Sequence, residues 1–165
     1  QVAVLLFSGP SDWARYERCT KNIGQVDLAV DCRIQWVSHL TTDSTALAEK
    51  VGGMQWPKAT TLTSAALTSA RMELRMGRAS AQRLVIAITD GKPMDPRKTL
   101  QAARALRRVA RLLWVPVSRS LNTAQMMSWA SQPVADNVLV LRSFGELAKP
   151  STINRIIADA CPRVE

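Results

Sequence analysis

Two stretches of this sequence are apolar on both faces: Arg83-Leu84-Val85-Ile86-Ala87-Ile88-Thr89 and Leu112-Leu113-Trp114-Val115-Pro116-Val117. A strand with one wet face alternates apolar and polar residues. A strand covered on both faces does not, and such runs are expected of central parallel strands packed between helices. Parallel neighbours need a long crossover, usually a helix. The intervening segment suits that role, with a loop at Asp90-Gly91-Lys92-Pro93-Met94-Asp95-Pro96 and a helix running from Pro96, at its first turn, to about Ala110. Residues 2–7 form another apolar run, ended by the turn Ser8-Gly9-Pro10-Ser11. Residues 12–31 are less regular, and 32–39 alternate as a half-exposed or edge strand. Thr42-Asp43 caps a helix to about Val51, and another helix runs to about Met76, stopped by Gly77. A helix near 123–131, a strand at 138–141 and a helix near 153–160 follow. Strands alternating with helices through short joints predict one α/β domain over residues 1–165, an open parallel sheet with helices on both faces.

At 165 residues the chain is long enough to bury roughly 70% of its unfolded surface. Its 47% apolar content excludes disorder, and no run approaches the ~18 apolar residues of a membrane span. The start, Gln1-Val2-Ala3-Val4-Leu5-Leu6-Phe7, has no initiator Met, basic n-region or small-residue cleavage site. It reads as a strand and not a signal peptide, which leads us to expect a fragment or a processed product. The formal charge is +9, and residues 71–119 carry it all, with 12 basic against 3 acidic residues; the rest holds 10 of each. Electrostatic function is expected in that segment.

In open α/β sheets, function sits in loops beyond the carboxyl ends of the strands. Those loops contain no GxGxxG, GxxxxGK[ST] or GxSxG. His39, the one histidine, has no evident triad partner and reads as a surface or capping residue. Cys19, Cys32 and Cys161 show no metal-binding spacing. Hydrolase and dehydrogenase chemistry therefore have no foundation here. What remains is Thr61-Leu62-Thr63, opening a helix, and Thr89-Asp90-Gly91, closing a strand. Hydroxyls and a carboxylate suit a hard cation such as Mg²⁺, which retains waters and accepts a ligand from a partner. They equally suit a helix cap and a turn.

The strand at 2–8, the loop Ala59-Thr60-Thr61-Leu62-Thr63-Ser64-Ala65-Ala66-Leu67, the segment Leu84-Val85-Ile86-Ala87-Ile88-Thr89-Asp90-Gly91-Lys92-Pro93 and the run Arg111-Leu112-Leu113-Trp114-Val115-Pro116-Val117 together resemble the von Willebrand factor A (VWA) domain. The resemblance covers essentially the whole chain. It implies a Rossmann-like, mostly parallel sheet with one antiparallel edge strand, here 32–39. It also implies a metal-ion-dependent adhesion site that a partner's acidic residue completes. Thr61 matches the family's metal-loop threonine and Asp90 its second-loop aspartate. The family's first metal loop, Asp-x-Ser-x-Ser, is absent. On that alignment Gln1 begins at the family's second strand, so the first strand lies upstream or does not exist. The runs 2–7 and 83–89 would then each lack a neighbour, and residues 1–165 are expected not to fold alone.

Arg104, Arg107, Arg108 and Arg111 fall at i, i+3, i+4 and i+7, opposite the apolar stripe Leu100, Ala103, Leu106, Val109 and Ala110. No acid lies between Pro96 and Leu112 to pair with them. Such a face attracts an acidic protein, lipid headgroups or nucleic acid, or is simply solvated. Nucleic acid is disfavoured because no aromatic residue is interleaved for stacking. Trp13 and Trp36 are placed to anchor a partner or to pack locally; Trp114 reads as core.

The expected function is a non-catalytic protein-binding module of adhesion or assembly, using a divalent-cation site. One rival is a metal-independent basic subunit docked into a larger complex, including one at a membrane; another is an unrecognised α/β enzyme. Cys19 and Cys32 bracket the irregular stretch and are expected to be joined, a closure worth ~3 kcal/mol. That implies secretion or another oxidising lumen, and leaves Cys161 to pair with a cysteine upstream of Gln1.

Overall fold

The computed structural model describes residues 1–21, 26–55, 57, 59–118 and 123–160. The apolar run at the start forms β1 (Val2–Phe7), which pairs antiparallel with β2 (Ile34–Thr41), Leu5 facing Trp36 and Phe7 facing Ile34. The two central runs form β3 (Leu84–Thr89) and β4 (Arg111–Pro116), parallel, with Leu84 beside Arg111 and Thr89 beside Pro116. Contacts divide the chain into two compact units, Gln1–Ala81 with Pro93–Ala102, and Gln82–Lys92 with Ala103–Glu165.

In the first unit the stretch after β1 contains a helix that periodicity did not reveal, α1 (Trp13–Lys21). Asp12 starts it by accepting from the Arg15 N–H at 2.8 Å. Tyr16 and Cys19, three apart, turn its buried side onto Cys32, Ile34, Leu62 and Ala65, with Leu5, Phe7 and Met94 packed around them. Cys19 and Cys32 are joined, as expected, with Cα atoms 5.7 Å apart. β2 begins two residues later than expected, because Arg33 adopts φ +53 and breaks the extended backbone. α2 (Ser44–Gly52) is capped by Asp43, which accepts from the Ala46 N–H at 2.9 Å, and Gly53 ends it. α3 is Thr63–Glu73.

In the second unit β4 is buried along nearly its whole length. Leu113, Val115 and Val117 pack with Leu139 and Leu141. Residues 138–141, expected as a strand, contribute isolated parallel bridges, Trp114 to Val138 and Val117 to Leu141. α5 (Thr123–Trp129) and α8 (Pro150–Ala160) lie where helices were expected, joined by two unforeseen four-residue helices, α6 (Val134–Asn137) and α7 (Phe144–Leu147). β1 and β3 each have one strand partner among the described residues. Ile86 and Ile88 of β3 are 38% and 43% exposed. No helix among the described residues is long and apolar enough to cross a membrane.

Candidate functional site

Beyond the end of β1, three loops of the first unit are tied together. The Leu62 N–H donates to the Ser8 carbonyl at 2.9 Å and the Thr60 hydroxyl to the Pro10 carbonyl at 2.8 Å. The Met94 N–H donates to the Thr61 carbonyl at 2.9 Å. Gly9 permits this approach, since a Cβ there would stand 2.5 Å from the Thr60 hydroxyl and 3.1 Å from the Met94 sulfur.

Thr61 is half-buried in this cluster, and Thr63 is 2% exposed. The residue capping α3 is Leu62, with no side-chain cap bond, so neither threonine caps the helix. The Thr63 hydroxyl has no hydrogen-bond partner among the described residues. A buried, unpaired oxygen is costly and is the kind of donor a hard cation uses. Asp90 belongs to the second unit and is exposed; beside it the Gly91 N–H donates to the Thr89 hydroxyl at 3.3 Å. Each loop offers oxygens of the kind a divalent cation takes, while among the described residues no three His, Cys, Asp or Glu side chains converge.

Near the threonines the Tyr16 hydroxyl donates to Asp95 Oδ2 at 3.0 Å. Asp95 also accepts the Lys98 N–H at 2.9 Å, and that backbone bond is the main cause holding its carboxyl below the usual range. Burial, followed by the bond to Asp95, pushes the Tyr16 hydroxyl up to about 12. Tyr16 and Asp95 are separated by 79 positions, and no local pattern announces the pair.

The four arginines do not share one helical face. α4 (Pro96–Arg107) ends three residues earlier than expected, and Arg111 opens β4. Its guanidinium is committed internally, donating from Nε to Asn137 Oδ1 at 2.6 Å, from Nη2 to the Asp136 carbonyl at 2.8 Å and from Nη1 to the Asp159 carbonyl. Arg111, expected on a partner-binding face, is thus engaged within the second unit. Arg107 donates to the Ala130 carbonyl at 2.6 Å and is half-buried. Arg104 and Arg108 are exposed.

His39 Nδ1 lies 2.9 Å from Glu73 Oε2, a surface pair joining β2 to α3. Trp114 is buried against Trp129, Trp36 is half-buried beside His39, and Trp13 is exposed. Cys161 lies outside the described residues.

The sequence pattern of the von Willebrand factor type A domain matches residues 17–152. Among solved structures, proximal thread matrix protein 1 from the mussel byssus is similar with a TM-score of 0.70 and 19% identity, over 98% of this chain and 37% of that one. A second structure of that protein, with a zinc-occupied MIDAS motif, gives the same TM-score and identity over 98% of this chain and 36% of that one. Manganese-loaded TRAP protein of Plasmodium vivax is similar with a TM-score of 0.56 and 23% identity, over 72% of this chain and 53% of that one. No curated protein matches. This chain therefore spans little more than a third of the mussel protein's length, and at these identities the likeness concerns the fold. With the pattern matched over most of its length, the chain belongs to the von Willebrand factor type A domain family, whose members are modules of adhesion and protein interaction.

Proposed function

We propose that this chain is a non-catalytic protein-binding module of adhesion or assembly. In this reading Thr61 and Asp90 hold a divalent cation, Mg²⁺ in the first instance, and an acidic residue of a partner completes its coordination. The unpartnered, buried Thr63 hydroxyl beside Thr61 carries the reading, because it leaves an oxygen donor unused in a loop of hydroxyls. Such a cation supplies a concentrated positive charge for a carboxylate. The zinc-occupied motif of the mussel protein and the manganese-loaded Plasmodium protein support the choice of a divalent ion. The Cys19–Cys32 disulfide supports secretion or another oxidising lumen.

A glutamate-rich peptide, immobilised and presented with the full chain in Mg²⁺ and then in EDTA, tests this. Binding should need the cation and weaken roughly tenfold or more in Thr61→Ala and Asp90→Ala, because each removes an oxygen that holds the ion. Binding that survives EDTA but falls with salt favours the second reading, a metal-independent basic subunit docked into a larger complex. The exposed Arg104 and Arg108 support that alternative.

A further inference from the structure

Trp13 is 68% exposed, yet it has a firm seat. Its indole stacks on the Tyr16 ring, with centroids 4.7 Å apart and planes inclined by 23°. Tyr16 is only 4% exposed and its hydroxyl is tied to Asp95, which is fixed in turn by the Lys98 N–H. Three residues further along α1, fully buried Cys19 is joined to Cys32. The Lys98 amino group stands 5.2 Å from the Tyr16 centroid, within cation–π range. A wet tryptophan on a loose loop loses much freedom when a partner covers it; one stacked on an anchored ring loses less. Tryptophan is also the residue most enriched among those that dominate interface energies.

The surrounding charge says what such a surface accepts. Acids on and around α1 already have local counterparts: Asp12 with Arg15 at 3.5 Å, Glu17 with Lys21 at 3.0 Å, Asp31 with Arg18 at 3.7 Å. Arg97, exposed, and Lys98, half-buried, add two positive charges at the start of α4, of which the Asp95 carboxylate offsets one. An apolar ring beside such charge complements an apolar side chain flanked by a carboxylate.

We propose that Trp13, seated on Tyr16 whose ring Lys98 overlies, is a metal-independent docking platform for a protein segment presenting an apolar side chain next to an acidic one. The inference rests on the protein-binding reading and adds a second contact to it, one that needs no cation.

The test is panning of a random peptide display library against the full chain in EDTA. Selected peptides should carry Asp or Glu beside an apolar residue. They should bind Trp13→Ala about tenfold more weakly, a typical penalty for a dominant interface residue, recover much of that with Trp13→Phe, and weaken as salt rises. Because Trp13 is mostly exposed, Trp13→Ala should keep the circular dichroism and disulfide of the parent chain. Peptides that bind Trp13→Ala as tightly as the parent, or that lack acids, overturn the platform. If panning in Mg²⁺ yields EDTA-sensitive peptides indifferent to Trp13, the platform falls and the protein-binding reading stands. If neither panning yields a binder, both fall.

Discussion

At Gly9 a hydrogen atom stands where any other residue would press a carbon against the Thr60 hydroxyl. Gly9→Ala must displace that hydroxyl from the Pro10 carbonyl and loosen the seam holding Thr61. We expect a destabilisation of about 1–3 kcal/mol, typical of overpacking, read as a lower urea midpoint; an unchanged midpoint would show that the loops part freely. Tyr16 offers a second residue-level test, because it is the only tyrosine in the chain. Its hydroxyl is raised from 10.0 to about 12, so the folded state keeps its proton where the unfolded chain loses it. Its contribution is complete below about pH 10 and disappears as pH climbs towards about 12. Asp95 has the opposite sense: with its carboxyl lowered, its contribution is present above the ordinary carboxylate range and is lost as pH falls through the lowered value. Phenolate absorbance should therefore appear well above pH 10 in the folded chain, and Tyr16→Phe should flatten the alkaline decline in thermal midpoint. Ordinary titration near 10 contradicts the buried pair. None of this was legible beforehand, since neither residue sits in a pattern that implies the other.

Among elements, α4 and β4 show how a one-turn difference in a helix end changes which side chains share a face. Arginines spaced i, i+3, i+4 and i+7 read as one basic stripe only if the helix persists. It stops at Arg107, and Arg111 becomes a strut gripping Asn137 and the carbonyls of Asp136 and Asp159. Arg111→Ala should cost about 2–4 kcal/mol, the sum of several hydrogen bonds and the carbonyls they leave unpaired. Arg104→Ala on the exposed side should stay within about 0.5 kcal/mol. Equal effects in chemical denaturation would contradict this division. The disulfide was readable because two cysteines flank an irregular segment, whereas the nine-residue α1, which carries Cys19, was not. Its helical signal amounts to Asp12 and two inward residues. Replacing Cys19 and Cys32 with alanine should cost about 3 kcal/mol in the chain-entropy account and melt α1 first, a loss visible in amide exchange; unchanged exchange across residues 13–21 would detach α1 from the staple.

For the molecule as a whole, the parallel β3–β4 pair was visible because apolar residues on both faces leave a strand few other places. Alternation marked the second strand as a half-exposed or edge strand, and its antiparallel sense was what the resemblance to the family implied. Pairings between distant loops were not visible, because they depend on how elements meet and not on local period. The +9 charge, carried by residues 71–119, motivates the proposed acidic partner, but internal bonds engage Arg107 and Arg111, so total charge overstated the available surface. The proposal that binds these scales together is a cation held by Thr61 and Asp90. Titration of Mn²⁺ into the ¹⁵N-labelled full chain tests it most directly, since the paramagnetic ion erases amide signals near it. The account predicts that Thr61, Thr63, Asp90 and Gly91 fade together at the lowest Mn²⁺ and return when Mg²⁺ is added in excess. Fading at only one of the two loops, or first at other acids such as Asp27 and Asp31, would contradict it.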